Sequence, residues 1–209
     1  MMQFYTSPGS CAVGTRILLE ETGAEYQAHR FNLGAKEHLN DDYKKLNPKA
    51  KVPALVRPDG SVLTETQAIA FWLADAFPEA ALLPEGAEGR LRVMELLDYM
   101  VGSVHMRGFT FVIVPHKFGP TPEFQEQIKA HGKAQIAIGF GNISEVLGDK
   151  DYLFGAFSVA DAVLFYMTRW AVMVGLDMPA NIAAHHNRML DRPATQRALK
   201  GEGIEVGRA

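Results

Sequence analysis

A single cysteine, Cys11, follows Ser7-Pro8-Gly9-Ser10 at the point where a short apolar strand gives way to a helical pattern. A thiol in the first turn of a helix meets unpaired amide N–H groups and the positive end of the helix dipole. These stabilise a sulfur anion, either its own thiolate or that of a bound thiol. A small buried core residue is the plain alternative. Val52-Pro53 is the second candidate, because a proline opening the strand Ala54-Leu55-Val56 cannot donate a ladder hydrogen bond. A cis bond there would turn the Val52 amide and carbonyl outward toward a peptide-like ligand, whereas a trans edge-strand proline is the commoner arrangement. Glu65-Thr66 is the third. Backbone N–H groups and a hydroxyl at a helix start can receive a carboxylate while Glu65 pairs with an amine, or Thr64 and Thr66 can act as ordinary caps. His105 is the fourth, with Asp98 and Gly102 at i−7 and i−3 on one face of a long helical pattern. That face could border a cleft or carry a solvated histidine.

Other chemistries are excluded. The seven histidines have no ligand spacing. His185-His186 are adjacent, point to different helix faces and lack carboxylate or cysteine company nearby, so no metal site is expected. There is no Gly-rich phosphate loop and no G-x-S-x-G elbow. Lys plus Arg total 21 against 24 Asp plus Glu, a net charge of −3, which does not suit a nucleic-acid binder. No stretch approaches the ~20 apolar residues of a membrane span, no secretory leader is visible, and one cysteine permits no intrachain disulfide. A cytoplasmic setting is expected.

The elements that must position these residues change character along the chain. Gln3-Phe4-Tyr5 reads as a strand. Ser10 caps a helix carrying Val13, Ile17 and Leu18 that ends at Gly23. Tyr26 to Leu33 reads as a second strand. Val52 to Arg57 and Ser61 to Thr64 flank the turn Pro58-Asp59-Gly60. Ile69, Trp72, Leu73, Ala76 and Phe77 then mark a helix ending before Pro78. This predicts an α/β domain over 1–78, a mixed four-stranded sheet with helices, and a linker over 79–89. An all-helical domain over 90–209 follows, with apolar stripes at Val93-Leu97-Met100-Val101-Val104 and Ile136-Phe140-Ile143-Leu147 and a capping box at Ser158 to Asp161.

Five segments in this order resemble the glutathione transferase superfamily, and in detail its bacterial beta class. They are F-Y-T-S-P-G-S-C (Phe4 to Cys11), N-P-K-A-K-V-P-A-L (Asn47 to Leu55), L-T-E-T-x-A-I (Leu63 to Ile69), V-H-M-R-G-F (Val104 to Phe109) and S-V-A-D-A (Ser158 to Ala162). The resemblance covers essentially the whole chain. It implies a thioredoxin-like amino-terminal domain, a helical carboxy-terminal domain, and a cytoplasmic homodimer that binds glutathione as co-substrate and serves detoxification. By matching positions, Cys11 and His105 would flank the glutathione sulfur. Val52 would pair with the cysteinyl backbone beside a cis Pro53, Glu65 and Thr66 would hold the γ-glutamyl end, and Lys36 the glycyl carboxylate. Asp98 and Arg107 would complete the ligand set, and Tyr5 and Ser10 are hydroxyl substitutes for Cys11. The chain departs from the class at Ser7, which is an extra residue, and at Lys51, Asp98, Gly102 and Met106-Arg107.

The activity this implies is conjugation of reduced glutathione to a small hydrophobic electrophile held by Met106, Phe109 and Phe111. Two alternatives stand beside it. One is glutathione-dependent thiol-disulfide reduction or dehalogenation through Cys11. The other is a non-catalytic scaffold for hydrophobic ligands or proteins.

Overall fold

Alternation in Met2-Gln3-Phe4-Tyr5-Thr6 sends Met2, Phe4 and Thr6 to a buried face and Gln3 and Tyr5 to the other. In the computed structural model, which describes all 209 residues, this segment is strand β1 (Met2–Thr6). Helix α1 (Ala12–Thr22) follows and stops at Gly23, whose φ of 66° only glycine adopts without penalty. Strand β2 (Tyr26–Arg30) lies parallel to β1, as the crossover through α1 requires. It ends earlier than the expected Leu33, because the Asn32 N–H donates to Glu37 Oε2 at 2.6 Å and turns the chain away from the sheet. Helix α2 (Asp41–Leu46) is capped by Asn40, whose Oδ1 accepts from the Tyr43 N–H at 2.8 Å. Strands β3 (Ala54–Val56) and β4 (Val62–Thr64) form the expected hairpin, with Gly60 at φ 84° in its turn. β3 starts later than the apolar run suggests, since Pro53 brings no N–H to the ladder, and at the turn end each strand stops one residue short, where the Arg57 N–H donates to the Ser61 carbonyl at 2.8 Å. The sheet order is β2-β1-β3-β4, with β1 and β3 antiparallel. Helix α3 (Thr66–Ala76) completes the layer, burying Ile69, Ala70 and Leu73.

The rest of the chain is helical: α4 (Gly86–Tyr99), a π-helix (Met100–Phe109), α5 (Thr110–Ile113), α6 (Pro122–Leu147), α7 (Val159–Val174), α8 (Ala180–Asp191) and α9 (Pro193–Glu202). The stretch read as a linker is shorter than 79–89. Gly89 already lies inside α4, where a Cβ would come within 2.8 Å of Pro84 Cβ. On α6, Ile136, Phe140, Ile143 and Leu147 are buried as their period predicts. The start of α7 is the expected capping box: Asp161 Oδ2 accepts from the Ser158 N–H and hydroxyl, both at 2.8 Å. No helix is long and apolar enough to cross a membrane.

The chain folds as two units, Met1–Leu82 with Asp191–Val206, and Leu83–Leu190 with Gly207–Ala209. This differs from a helical domain running unbroken over 90–209: α9 returns to the first unit and packs on α1. Arg16 Nη1 and Glu202 Oε1 meet there at 3.0 Å, nearly shut off from solvent, and Thr6 Oγ1 donates to the same carboxylate oxygen at 3.1 Å. Gly201 is needed at this seam, because a Cβ would strike the Arg16 guanidinium.

Candidate functional site

Ladder register gathers three of the singled-out segments at one end of the sheet. Ala54 is opposite both Tyr5 on β1 and Thr64 on β4. The chain leaving β1 toward Cys11, the chain entering β3 through Val52-Pro53, and the chain leaving β4 through Glu65-Thr66 therefore emerge together. The Val52-Pro53 peptide is cis. The loop ahead of it is clamped from within: Tyr43 Oη and Asn47 Nδ2 both donate to the Lys51 carbonyl, at 2.6 and 2.8 Å. Asn47 is buried, and its Oδ1 accepts from the Lys49 N–H at 3.2 Å. Sequence reasoning quoted Asn47 without giving it this task and missed Tyr43, whose partner lies eight residues on. The Val52 N–H makes no hydrogen bond within the chain.

Cys11 stands at the N-cap of α1 rather than in its first turn. It is half-buried and its thiol donates to the Val52 carbonyl at 3.7 Å. Burial pushes the thiol up from 9.0 to about 11; the N–H groups of Cys11 and Ala12 pull the other way, and Glu65 adds to the rise. Of the two sulfur anions that the helix start could stabilise, this speaks against the cysteine's own thiolate, because desolvation outweighs the amides. Cys11 is a neutral donor at pH 7. Ser10 Oγ donates to the Ser7 carbonyl at 2.8 Å and accepts from the Ala12 N–H at 3.3 Å, so its proton is committed to the turn. Tyr5 stacks on His29 at 4.6 Å and meets Tyr43 at 5.2 Å, in a ring cluster on the opposite sheet face from Phe4.

Glu65 holds φ at 72°, a conformation costing a non-glycine residue about 1–3 kcal/mol. It opens α3 with no side-chain cap. Thr66 behind it is 9% exposed, and its hydroxyl makes no hydrogen bond within the chain. Glu65 Oε1 pairs at 2.6 Å with Lys49 Nζ, which also donates to Thr64 Oγ1 at 2.7 Å. Lys36 sits at φ 60° with its side chain exposed.

His105 belongs to the helical unit and lies on the π-helix. Its Nδ1 meets the hydroxyl of buried Tyr166 at 3.2 Å, and its ring is edge-on to Trp170 at 4.9 Å. The wider i→i+5 turn undoes the face inferred for Asp98, Gly102 and His105, which assumed α-helical spacing. Asp98 and Arg107 are exposed. Of the residues expected to line an apolar acceptor site, Met106 is 45% exposed and Phe111 is half-buried against Phe118. Phe109 is fully buried against Phe140 and Trp170, so it is core rather than lining.

His185 and His186 are both buried. His185 Nε2 pairs with Asp161 Oδ1 at 2.9 Å, carboxylate company that local spacing did not reveal. Burial pushes the pKa of His186 down, and its nitrogens are taken by Thr168 Oγ1 at 2.8 Å and the Gly207 carbonyl at 3.0 Å.

A family profile described as glutathione S-transferase, N-terminal domain, matches residues 9–76. Over 98% of this chain and 100% of its own length, glutathione S-transferase GstA of Escherichia coli O157:H7 is 36% identical. A bacterial beta class glutathione S-transferase from Sphingomonas chungbukensis superposes with a TM-score of 0.85 at 35% identity, covering 97% of this chain and 100% of that one. A glutathione transferase homologue from Sulfitobacter, solved with bound glutathione, superposes with a TM-score of 0.88 at 27% identity, covering 98% and 99%.

Proposed function

Since the chain belongs to the glutathione S-transferase family, and so to a family of transferase enzymes, we propose that it conjugates reduced glutathione to small hydrophobic electrophiles. The observation that carries this reading is the convergence, at one sheet end, of the Cys11 thiol, the unbonded Val52 N–H and the open helix start at Glu65-Thr66. Val52 pairs with the cysteinyl backbone of the tripeptide beside Pro53, Glu65 and Thr66 take its γ-glutamyl end, and Lys36 its glycyl carboxylate.

The chemistry asked of the site is thiol ionisation. A thiol of pKa ~8.5 is only ~3% thiolate at pH 7; lowering it two units makes it ~75%, worth ~2.7 kcal/mol. A neutral Cys11 thiol suits this task, because it can turn from the Val52 carbonyl and donate to the glutathione sulfur anion. The same neutrality disfavours the redox alternative, since a thiol near 11 is about one ten-thousandth thiolate at pH 7. Ser10, with its proton committed, and Tyr5, held in its ring cluster, are weaker substitutes. In the helical unit, His105 is the candidate proton-handling residue, Asp98 and Arg107 are candidate ligand contacts, and Met106 and Phe111 offer apolar surface to the electrophile.

The protein is proposed to work in the cytoplasm, in detoxification, as a homodimer. Exposed Leu91 and Met94 on α4 supply apolar surface for a second copy. Calorimetric titration with reduced glutathione tests the core of the reading. Saturable binding near one per chain, weakened by Glu65→Ala, supports it. Absence of binding up to millimolar ligand, seen by a second method as well, moves the function to a scaffold.

A further inference from the structure

The γ-glutamyl end of glutathione carries an α-ammonium and an α-carboxylate on one carbon, so a site that holds it whole needs a fixed charge of each sign. Glu65 supplies one sign. The other is beside it: Lys49 Nζ lies 2.6 Å from Glu65 Oε1 and 2.7 Å from Thr64 Oγ1. We propose that Lys49 and Glu65 form a clamp for a zwitterionic amino-acid head group, Lys49 taking the carboxylate and Glu65 the ammonium. The proposal rests on the glutathione reading above and adds a residue and a selectivity to it. The ligand class is γ-glutamyl peptides with an intact α-amino-acid head, and N-acylated or decarboxylated forms are discriminated against.

The donor count permits this without breaking the ion pair. An ammonium has three N–H donors; Glu65 and Thr64 use two and leave one for an incoming carboxylate. A carboxylate has about four lone-pair sites, of which Lys49 occupies one. The backbone on both sides is held. The Lys49 N–H donates to buried Asn47 at 3.2 Å, and Ala50 and Glu65 are non-glycine residues at φ 50° and 72°. The pair itself, with side chains 51% and 63% exposed, contributes little to folding, so stability does not account for that arrangement. Next to it Thr66, nine-tenths buried, keeps a hydroxyl without a partner, a third contact for the same carboxylate.

The test compares two ligands on three proteins by calorimetry: glutathione and its des-carboxy analogue γ-aminobutyryl-cysteinyl-glycine, on the wild-type chain, Lys49→Met and Lys49→Arg. Lys49→Met is expected to weaken glutathione about three- to tenfold while leaving the analogue unchanged, and Lys49→Arg to restore most of the loss. An equal loss for both ligands would make Lys49 a holder of the loop and overturn the clamp. Tighter glutathione binding would make it a competitor for Glu65, and an unchanged affinity would leave it no role; each overturns the clamp while the glutathione reading stands. A folded wild-type chain that binds neither ligand overturns the reading and the clamp together.

Discussion

Helix α7 and helices α1 and α3 begin in opposite ways. At the start of α7 the capping carboxylate is held entirely from inside the chain. Asp161, fully buried, accepts from the Ser158 N–H and hydroxyl, from the Leu153 N–H at 2.9 Å, and pairs with His185. At α1 the N-cap residue Cys11 supplies no cap of its own and Ser10 Oγ accepts from the Ala12 N–H instead, while at α3 the N-cap is Glu65, strained and uncapped, with an unpartnered Thr66 hydroxyl behind it. A helix start that serves only the fold closes its hydrogen bonds. One left open, as at α3, keeps groups that an incoming ligand could use.

The largest effect expected from breaking this contrast is at the closed end. Asp161→Ala strands four partners in a buried site and should lower stability by about 3–5 kcal/mol in urea unfolding, with the glutathione affinity of the folded fraction unchanged. Next comes Cys11, where iodoacetamide should alkylate about 100-fold more slowly at pH 7 than an ordinary cysteine, with a midpoint near 11. The sign carries into stability. A thiol whose folded pKa of about 11 lies above its ordinary 9.0 favours the folded state fully below pH 9, and that contribution is lost as pH rises toward 11. Cys11→Ala should remove this fall. The smallest effect sharpens the contrast at α3: Glu65→Gly relieves the positive φ and should raise stability by about 1 kcal/mol while weakening glutathione about tenfold. A variant that gained stability and kept its affinity would deny that the strain serves binding.

What could be read from the sequence divides along the same line. Local signals carried the strands, the Pro58-Asp59-Gly60 turn and the Ser158 to Asp161 box, because their causes lie within a few residues. Cys11, Val52-Pro53 and Glu65-Thr66 were recognisable as residue types at element starts, and the sheet register brings them together. The choice between the alternatives for Cys11 was not legible, because desolvation depends on what packs over the sulfur, which spacing does not encode. The π-helix escaped because Met100 and Val104, spaced by four, fit α and wider turns alike. Asp161 with His185 and Arg16 with Glu202 are separated by 24 and 186 residues, and no window spans them.

The return of α9 has a consequence for synthesis. The first unit takes its last wall from residues 191–206, so a nascent chain cannot finish that unit when residue 82 leaves the ribosome. Arg16, buried in the finished fold, must wait without Glu202 through some 186 further residues of translation. At about 5–20 residues per second this is an interval of roughly ten to forty seconds, in which the face of α1 that α9 covers lacks its partner. Most of the helical unit, from Leu83 to Leu190, is made within that interval, and its last residues, Gly207–Ala209, emerge only after α9, so neither unit is complete until the end of the chain is made.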